Sequence, residues 1–267
     1  MIRGEKGPTV PGKTAQVDVK TPEQIELMRQ AGRIVSEILD ELEKAVAPGV
    51  TTWDLDQLSE RLIYQKGAQP AFKGYLGFPA CLCASINEEV VHGIPSRKRA
   101  LQEGDLMKLD FGVKFQGWFG DSARTVPVGQ VSDEARALLE ATRESLYRGI
   151  EQMKPGNRIG DIGAAVQQHV EARGFSVVRD FVGHGIGTKL HEAPQVPNYG
   201  EAGSGMRLRA GMVLAIEPMV NIGTCEVKTL EDHWTAVTLD RKLSSHWEHT
   251  VLITGAGPEI LTRTAAA

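Results

Sequence analysis

The sequence repeats a sparse set of turn and acidic residues after 107 positions, and the repeat needs no gap. The recurring pairs are Pro48-Gly49 and Pro155-Gly156, Asp54 and Asp161, Gly67 and Gly174, Gly104 and Gly211, and Asp110 and Glu217. Such a repeat predicts two halves related by a pseudo-two-fold axis, although turn residues also recur by chance. In that arrangement Asp110 and Glu217 face each other across the axis, where they could hold a metal ion.

Helical and strand patterns follow the same order in both halves. Thr21-Pro22-Glu23-Gln24 is typical of a helix start, apolar residues continue at helical spacing to Val46, and Pro48-Gly49 ends the helix. Further helices are predicted at 54–66, from near 132 to before 155, and at 161–173, and strands at 106–115, 212–217 and 247–253. This order predicts an α+β fold whose helices cover one face of a mostly antiparallel sheet.

Composition excludes several classes of protein. The 267 residues are 41% hydrophobic and 24% charged, which suits a large core and no long disorder. The chain has no apolar run near the ~18 residues of a membrane helix, and residues 1–20, interpreted as a flexible or surface-hugging tail, lack the apolar segment of a secretory signal. A net charge of −4 argues against non-specific binding to nucleic acid or membranes. The three cysteines form no Cys-x-x-Cys pair, which excludes a structural zinc module and favours free thiols in the cytoplasm.

Four acidic residues adjoin segments that we expect to be buried. Asp110 lies in the first predicted strand, and Asp121 follows eleven residues later, a spacing that suits a hairpin. Glu217 follows an apolar run, and Glu248 precedes another. Because an unpaired buried carboxylate costs several kcal/mol, bound cations explain four such acids better than salt bridges do.

Three histidines lie in turn-rich segments, where functional groups concentrate. His184 lies between two glycines that permit close backbone approach, His191 follows seven residues later, and His92 precedes Gly93. The remaining histidines are interpreted as surface or satisfied core residues: His169, His233, His246 and His249. One imidazole with four carboxylates suits two divalent ions of Mn, Fe(II), Co or Zn, which would lower the pKa of a bridging water to about 7.

Several motifs occur in a fixed order along the chain. They are Asn87–Pro95, Lys108-Leu109-Asp110 with Gly120-Asp121-Ser122-Ala123, Gly183–Gly187 with His191-Glu192-Ala193-Pro194, Ile216-Glu217-Pro218-Met219, and Trp247-Glu248-His249-Thr250. With them the sequence resembles the type I methionine aminopeptidases, of the pita-bread (creatinase/aminopeptidase) fold, over residues 21–263. The resemblance implies one catalytic domain, 21–267, after the tail, with two αβ halves at about 21–127 and 128–263 around an antiparallel sheet.

The resemblance also implies the roles of individual residues. The implied ligands of two metal ions are Asp110, Asp121, His184, Glu217 and Glu248, with Asp121 and Glu248 bridging. Glu217 would also be the general base, His191 would stabilise the oxyanion, and His92 would contact the substrate and help the leaving group. Both histidines would contact substrate, and the methionine pocket would be lined by Tyr75, Phe78, Cys83 and Trp234. Phe72 and Leu190 depart from the family pattern, in which a smaller residue, often cysteine, and an aromatic residue are common.

The implied activity is metal-dependent removal of the initiator methionine from nascent proteins, preferably before a small second residue. The resemblance implies a cytoplasmic monomer and leaves contact with the ribosome open. One alternative is a proline-specific pita-bread aminopeptidase or dipeptidase, which usually carries an additional N-terminal domain. Another is a binding module of the same fold that has lost catalysis, and such modules typically lose metal ligands. The complete set of ligand and histidine positions favours the aminopeptidase.

Overall fold

The computed structural model describes residues 17–263, which contain four helices and fifteen short strands. The helices are α1 (Pro22–Ala45), α2 (Thr52–Gln65), α3 (Asp133–Glu151) and α4 (Ile159–Glu171). The strands are β1 (Gln69–Pro70), β2 (Cys83–Ile86), β3 (Glu89–Val91), β4 (Leu106–Phe115), β5 (Trp118–Pro127), β6 (Ser176–Val177), β7 (Gly183–Gly185), β8 (Glu192–Val196), β9 (Val213–Ile216), β10 (Met219–Asn221), β11 (Val227–Thr229), β12 (Ala236–Thr238), β13 (Ser244–His246), β14 (His249–Thr254) and β15 (Gly257–Ile260).

The strands form four small sheets, in which every pair is antiparallel. One sheet joins β1, β4 and β2, with β5 paired to β4, and a second has the order β15-β14-β9-β7-β8. The other two sheets have the orders β13-β10-β6 and β11-β12-β3. The prediction of an α+β fold with antiparallel strands is therefore confirmed.

Local sequence explains where the helices begin. Thr21 caps α1 and forms a capping box with Gln24, and Pro22 occupies the first helical position, as predicted. The second helix begins at Thr52 rather than at Asp54, because Thr51 is the cap and Asp54 lies three residues inside the cap. Ser132 caps α3 as predicted. The fourth helix begins at Ile159, two residues before the predicted start.

Strand ends differ from the prediction where the backbone leaves the ladder. The strand predicted at 212–217 covers 213–216, so Glu217 lies just beyond its end. The strand predicted at 247–253 begins only at His249, since the backbone N–H of Trp247 donates to Pro218 and that of Glu248 donates to Ala123 instead.

Features of the first half recur 107 positions later in the structure. Isolated antiparallel bridges join Thr51 to Ala100 and Arg158 to Arg207. The backbone N–H of Gly49 donates to Leu101 at 2.8 Å, and that of Gly156 donates to Leu208 at 3.1 Å. Gly49 and Gly156 both have left-handed φ, of 89° and 99°, which favours glycine at these turns. The two-half organisation stays a prediction, and these matching contacts support it.

The segment before α1 is packed against the domain. Val17 is buried among apolar residues of the second half, and Lys20 is 7% exposed. Residues 17–20 are thus not flexible, and the tail predicted over 1–20 otherwise stays a prediction; residues 1–16 and 264–267 lie outside the described residues. None of the helices in residues 17–263 combines the length and apolarity needed to cross a bilayer.

Candidate metal centre and active site

Four acidic side chains converge on one cavity of about 190 Å³. In the β4–β5 hairpin Asp110 pairs with Ala123 and Gly112 pairs with Asp121, which places both aspartates on the same face as diagonal neighbours. Glu217 follows β9 and Glu248 precedes β14, and these two strands also pair with each other. The sequence-predicted acids therefore reach the cavity from two different sheets.

Side-chain hydroxyls join those two sheets next to the acids. Ser122 donates to the carbonyl oxygen of Glu248 at 2.6 Å. Thr250 donates to the carbonyl oxygen of Asp121 at 2.8 Å and accepts from its N–H at 3.1 Å. Each hydroxyl thus lies within two residues of one acid and binds the backbone of the other. These hydrogen bonds satisfy backbone groups of Asp121 and Glu248 where the two sheets meet without regular strand pairing. They also fix the separation of the two acids.

His184 faces the carboxylates from β7, between β8 and β9. A Cβ atom on Gly183 would collide with the carbonyl of Ala215, and one on Gly185 with that of Ala193, so the flanking glycines permit this close strand packing. Burial lowers the pKa of His184 to about 3, which keeps the ring neutral at pH 7. Its Nδ1 lies 2.9 Å from the carbonyl oxygen of Gly185 and therefore carries the proton.

The donor set fits a divalent cation. The Nε2 lone pair of His184 lies 3.5 Å from Oε1 of Glu217 and 4.0 Å from Oδ2 of Asp121, which is unfavourable unless a proton or cation lies between these atoms. Asp121, His184 and Glu248 place ligand atoms within 4.8 Å of one another. Oδ1 of Asp121 and Oε1 of Glu248 are buried and have no hydrogen-bond partner among residues 17–263. Buried, unpaired oxygens beside an unprotonated imidazole nitrogen are the chemistry of a metal site.

Burial also perturbs the acids themselves. It raises the pKa of Asp121 to about 7. The pKa values of Asp110, Glu217 and Glu248 are raised well above their ordinary values, first by burial and then by the charges of neighbouring acids. Such values are typical of carboxylates grouped for a functional purpose.

Two further histidines line the same cavity. The ring of His191 lies 4.2 Å from that of His184, and its Nδ1 lies 2.8 Å from the hydroxyl of Tyr75. His92 contacts Phe181 and Trp234 edge-on. Burial lowers the pKa of His92 to about 4 and lowers the pKa of His191, so both rings are neutral at pH 7.

The rest of the cavity wall is mostly apolar. It contains all four residues assigned to the methionine pocket and three more, which are Phe72, Leu76 and Leu190. Phe78 and Trp234 pack edge to face, with ring centroids 5.1 Å apart. The two departures from the family pattern, Phe72 and Leu190, belong to one apolar cluster.

Sequence reasoning missed His246. This residue is 1% exposed, and its Nε2 lies 3.8 Å from Oε2 of Glu217. Within the described part of the chain, neither of its ring nitrogens has a hydrogen-bond partner. Its position two residues before Glu248 was the available signal, because side chains two apart in an extended segment share a face. By contrast, His249 is a satisfied core residue that contacts Thr262 at 2.9 Å.

Comparison with known proteins identifies the family. Residues 26–255 match the profile of metallopeptidase family M24. Methionine aminopeptidase 1 of Bacillus subtilis is 54% identical over 244 residues, which cover 91% of this chain and 98% of that protein. The chain belongs to the methionine aminopeptidases of family M24. A methionine aminopeptidase of Clostridium acetobutylicum is 55% identical over the same shares of the two chains.

Solved structures confirm the pita-bread fold of this family. The crystal structure of methionine aminopeptidase from Thermotoga maritima superposes with a TM-score of 0.92 at 47% identity, covering 93% of this chain and all of that chain. The prolidase from Pyrococcus furiosus superposes less closely, with a TM-score of 0.74 at 25% identity, and this chain covers 66% of it. Membership of the metallopeptidases implies divalent metal ions, in agreement with the donor set.

Proposed function

We propose that this chain hydrolyses the peptide bond after an N-terminal methionine of peptides and nascent proteins, preferably when the second residue is small. The observation that carries the proposal is the cavity itself. Four buried acids and three neutral histidines meet an apolar pocket there, in a chain 54–55% identical to proteins named methionine aminopeptidases.

The proposed ligands of two divalent ions are Asp110, Asp121, His184, Glu217 and Glu248, and the two shared by both ions are Asp121 and Glu248. Oxygen-rich ligation with one imidazole suits Mn, Fe(II), Co or Zn. Divalent ions in such sites lower the pKa of a bound water and polarise a carbonyl oxygen.

Glu217 is the proposed general base. Its side chain is 14% exposed, so one edge reaches the cavity while burial and the neighbouring acids raise its pKa. The carboxylate takes the proton of the attacking water and then passes it to the nitrogen of the leaving peptide. His92 lies on the same cavity and assists that departure.

His191 is the proposed oxyanion donor. A neutral imidazole has one donor and one acceptor nitrogen. When Nδ1 accepts the hydrogen bond of the Tyr75 hydroxyl, the proton lies on Nε2, which can then donate to the carbonyl oxygen of the scissile bond. Tyr75 thus both lines the methionine pocket and sets the tautomer of the histidine.

The same arrangement restricts cleavage to the end of a chain. At the metal-binding end of the cavity the unprotonated amino group of the first residue would coordinate one ion, and the apolar wall of Phe78, Cys83 and Trp234 suits its thioether side chain. Burial raises the pKa of Cys83, so this thiol is neutral beside the substrate. An apolar pocket discriminates by only ~1–3 kcal/mol per methylene, so shape decides between methionine and other apolar residues.

We expect His191→Ala to lower kcat about 10²-fold, because loss of one oxyanion donor typically costs that much. KM should change far less, since the contact strengthens in the transition state. Steady-state kinetics on Met-Ala-Ser would measure both values. The matched control is His169→Ala. His169 lies on α4, where it pairs with Glu144 of α3, and its replacement should leave both kcat and KM unchanged. An unaltered kcat in His191→Ala would remove this residue from the mechanism.

The proposed function is tested by release of free methionine. Met-Ala-Ser, Met-Pro and Ala-Pro peptides are incubated with the chain in Mn(II), in Co(II) and in EDTA. We expect metal-dependent release from Met-Ala-Ser and no cleavage of Ala-Pro. Cleavage of Ala-Pro alone would assign the chain to proline-specific peptidases. No cleavage by folded, metal-bearing protein would favour the binding module.

We propose that the reaction occurs in the cytoplasm, where nascent chains are made. The three cysteines are free, which suits a reducing compartment. The monomeric state stays a prediction from the resemblance, which leaves contact with the ribosome open.

A further inference from the structure

We infer that Lys20 is a positioning residue for His191, acting through a buried ion pair with Glu192. The inference rests on the proposed role of His191. It means that a residue of the segment before α1, which was predicted to be a tail, contributes to the geometry of the active site.

The ion pair is close and shielded from water. Nζ of Lys20 lies 2.7 Å from Oε2 of Glu192, and the two side chains are 4% and 12% exposed. Nζ also lies 5.8 Å from the ring centroid of Trp118, which favours the cation. Removal of one partner would leave the other charge buried and uncompensated, which is why such pairs resist loss of either member.

Glu192 organises the loop that carries His191. Oε1 of the carboxylate accepts hydrogen bonds from the backbone N–H of Lys189 at 3.1 Å and from the hydroxyl of Thr188 at 3.3 Å. A Cβ atom on Gly187 would lie 2.5 Å from Nζ of Lys20, so a larger residue there would displace the charged ends of this pair. The loop from 187 to 192 is therefore wrapped around one carboxylate, whose charge Lys20 neutralises.

Lys20 is itself fixed to the domain. Its backbone N–H donates to the carbonyl oxygen of Gly211 at 2.8 Å, and α1 begins two residues later. Val17, three residues earlier, is buried in the apolar core of the second half. The ammonium group is thus held from a rigid base rather than from a free chain end.

His191 depends on this attachment because it immediately precedes Glu192. Its ring is held by Tyr75 at Nδ1, and two residues of the loop just before it, Thr188 and Lys189, are held by the Glu192 carboxylate. If the ion pair is lost, the loop can move, and the Nε2 donor leaves the direction that the scissile carbonyl requires. A misdirected donor lowers kcat more than KM, since orientation matters most in the transition state.

The test compares Lys20→Met with Lys20→Arg, which keeps the charge. We expect Lys20→Met to lower kcat for Met-Ala-Ser about tenfold, which is less than the ~10²-fold expected for complete loss of the His191 donor. KM should change less than about twofold. Lys20→Arg should retain most of the wild-type kcat, because it keeps the positive charge. In the His191→Ala background, Lys20→Met should lower kcat no further. The matched control is Arg29→Met, which breaks the ion pair between Arg29 and Glu259, also 2.7 Å long but formed by two residues that do not line the cavity.

A second readout does not need activity. Hydrogen exchange, measured by mass spectrometry, should accelerate in residues 186–192 of Lys20→Met and stay unchanged there in Arg29→Met. If Lys20→Met fails to fold, Glu192→Gln replaces it in both measurements. Each of three results would overturn the inference. The first is a Lys20→Met protein with unchanged kcat and only a lower Tm, the second is a further tenfold loss of kcat when Lys20→Met is added to His191→Ala, and the third is unchanged hydrogen exchange in residues 186–192. Wild-type protein that releases no methionine would refute the proposed function instead, and the exchange experiment would still decide whether Lys20 holds the loop.

Discussion

Glu217→Gln should abolish methionine release while leaving the fold intact. The substitution keeps the shape of the side chain and removes its ability to accept a proton, and loss of general base catalysis typically costs 10²–10⁴-fold. We expect kcat on Met-Ala-Ser to fall by about 10³-fold or more, because the same oxygen atoms are also proposed metal ligands. Circular dichroism should be unchanged, since amide and carboxylate have nearly the same volume in this buried position.

Metal content separates the two proposed roles of Glu217. The variant is loaded with Mn(II), its bound metal is measured by elemental analysis, and kcat is determined on the same sample. Glu231→Gln, an exposed acid outside the cavity, controls for the change of charge. Full activity in a metal-loaded Glu217→Gln sample would refute the general base. Activity that returns in proportion to added metal would reduce Glu217 to a ligand.

Local sequence signals predicted most of the elements that position the site. The capping box at Thr21 and the turn at Pro48-Gly49 bracket α1 as expected, and the strand at 106–115 has the predicted bounds. The spacing of Asp110 and Asp121 also predicted their hairpin, because antiparallel register and side-chain alternation follow from residue counting. Each of these inferences depends on neighbours in the sequence, where propensity and periodicity act directly.

Contacts between distant segments were beyond such reasoning. The hydroxyl of Thr250 binds the backbone of Asp121 across 129 positions, and Lys20 binds Glu192 across 172. A threonine in a strand and a lysine before a helix are ordinary in both places, so neither residue type carries a signal for its partner. His246 was missed for a related reason, because it lies in an irregular break where one strand ends before the next begins. The resemblance implied roles for the metal ligands, the two active-site histidines and the pocket residues, and none for Thr250, Lys20 or His246.

Without metal, the protein should lose stability as pH rises, because the acids at the site have raised pKa values in the folded state. In the metal-free protein, burial raises the pKa of Asp121 to about 7, and burial with the charges of neighbouring acids raises those of Asp110, Glu217 and Glu248 well above their ordinary values. A group whose pKa is higher in the folded than in the unfolded state stabilises the fold fully below its unfolded pKa, near 4. That contribution is lost as pH rises through the folded value. Metal binding requires the ionised acids, so its stabilisation grows over the same range.

The measurement is the difference in Tm between Mn-loaded and EDTA-treated protein from pH 6 to pH 8. Each proton that binding displaces adds about 1.4 kcal/mol per pH unit, so one proton gives roughly 3 kcal/mol and a difference that grows by roughly 5–10 °C. Groups remote from the metal cancel in this difference. Glu231→Gln should give the same slope as the wild type. A Tm difference that stays constant with pH would mean that metal binding displaces no proton. It would contradict the proposal that the four acids are protonated in the metal-free protein and ionised when they bind metal.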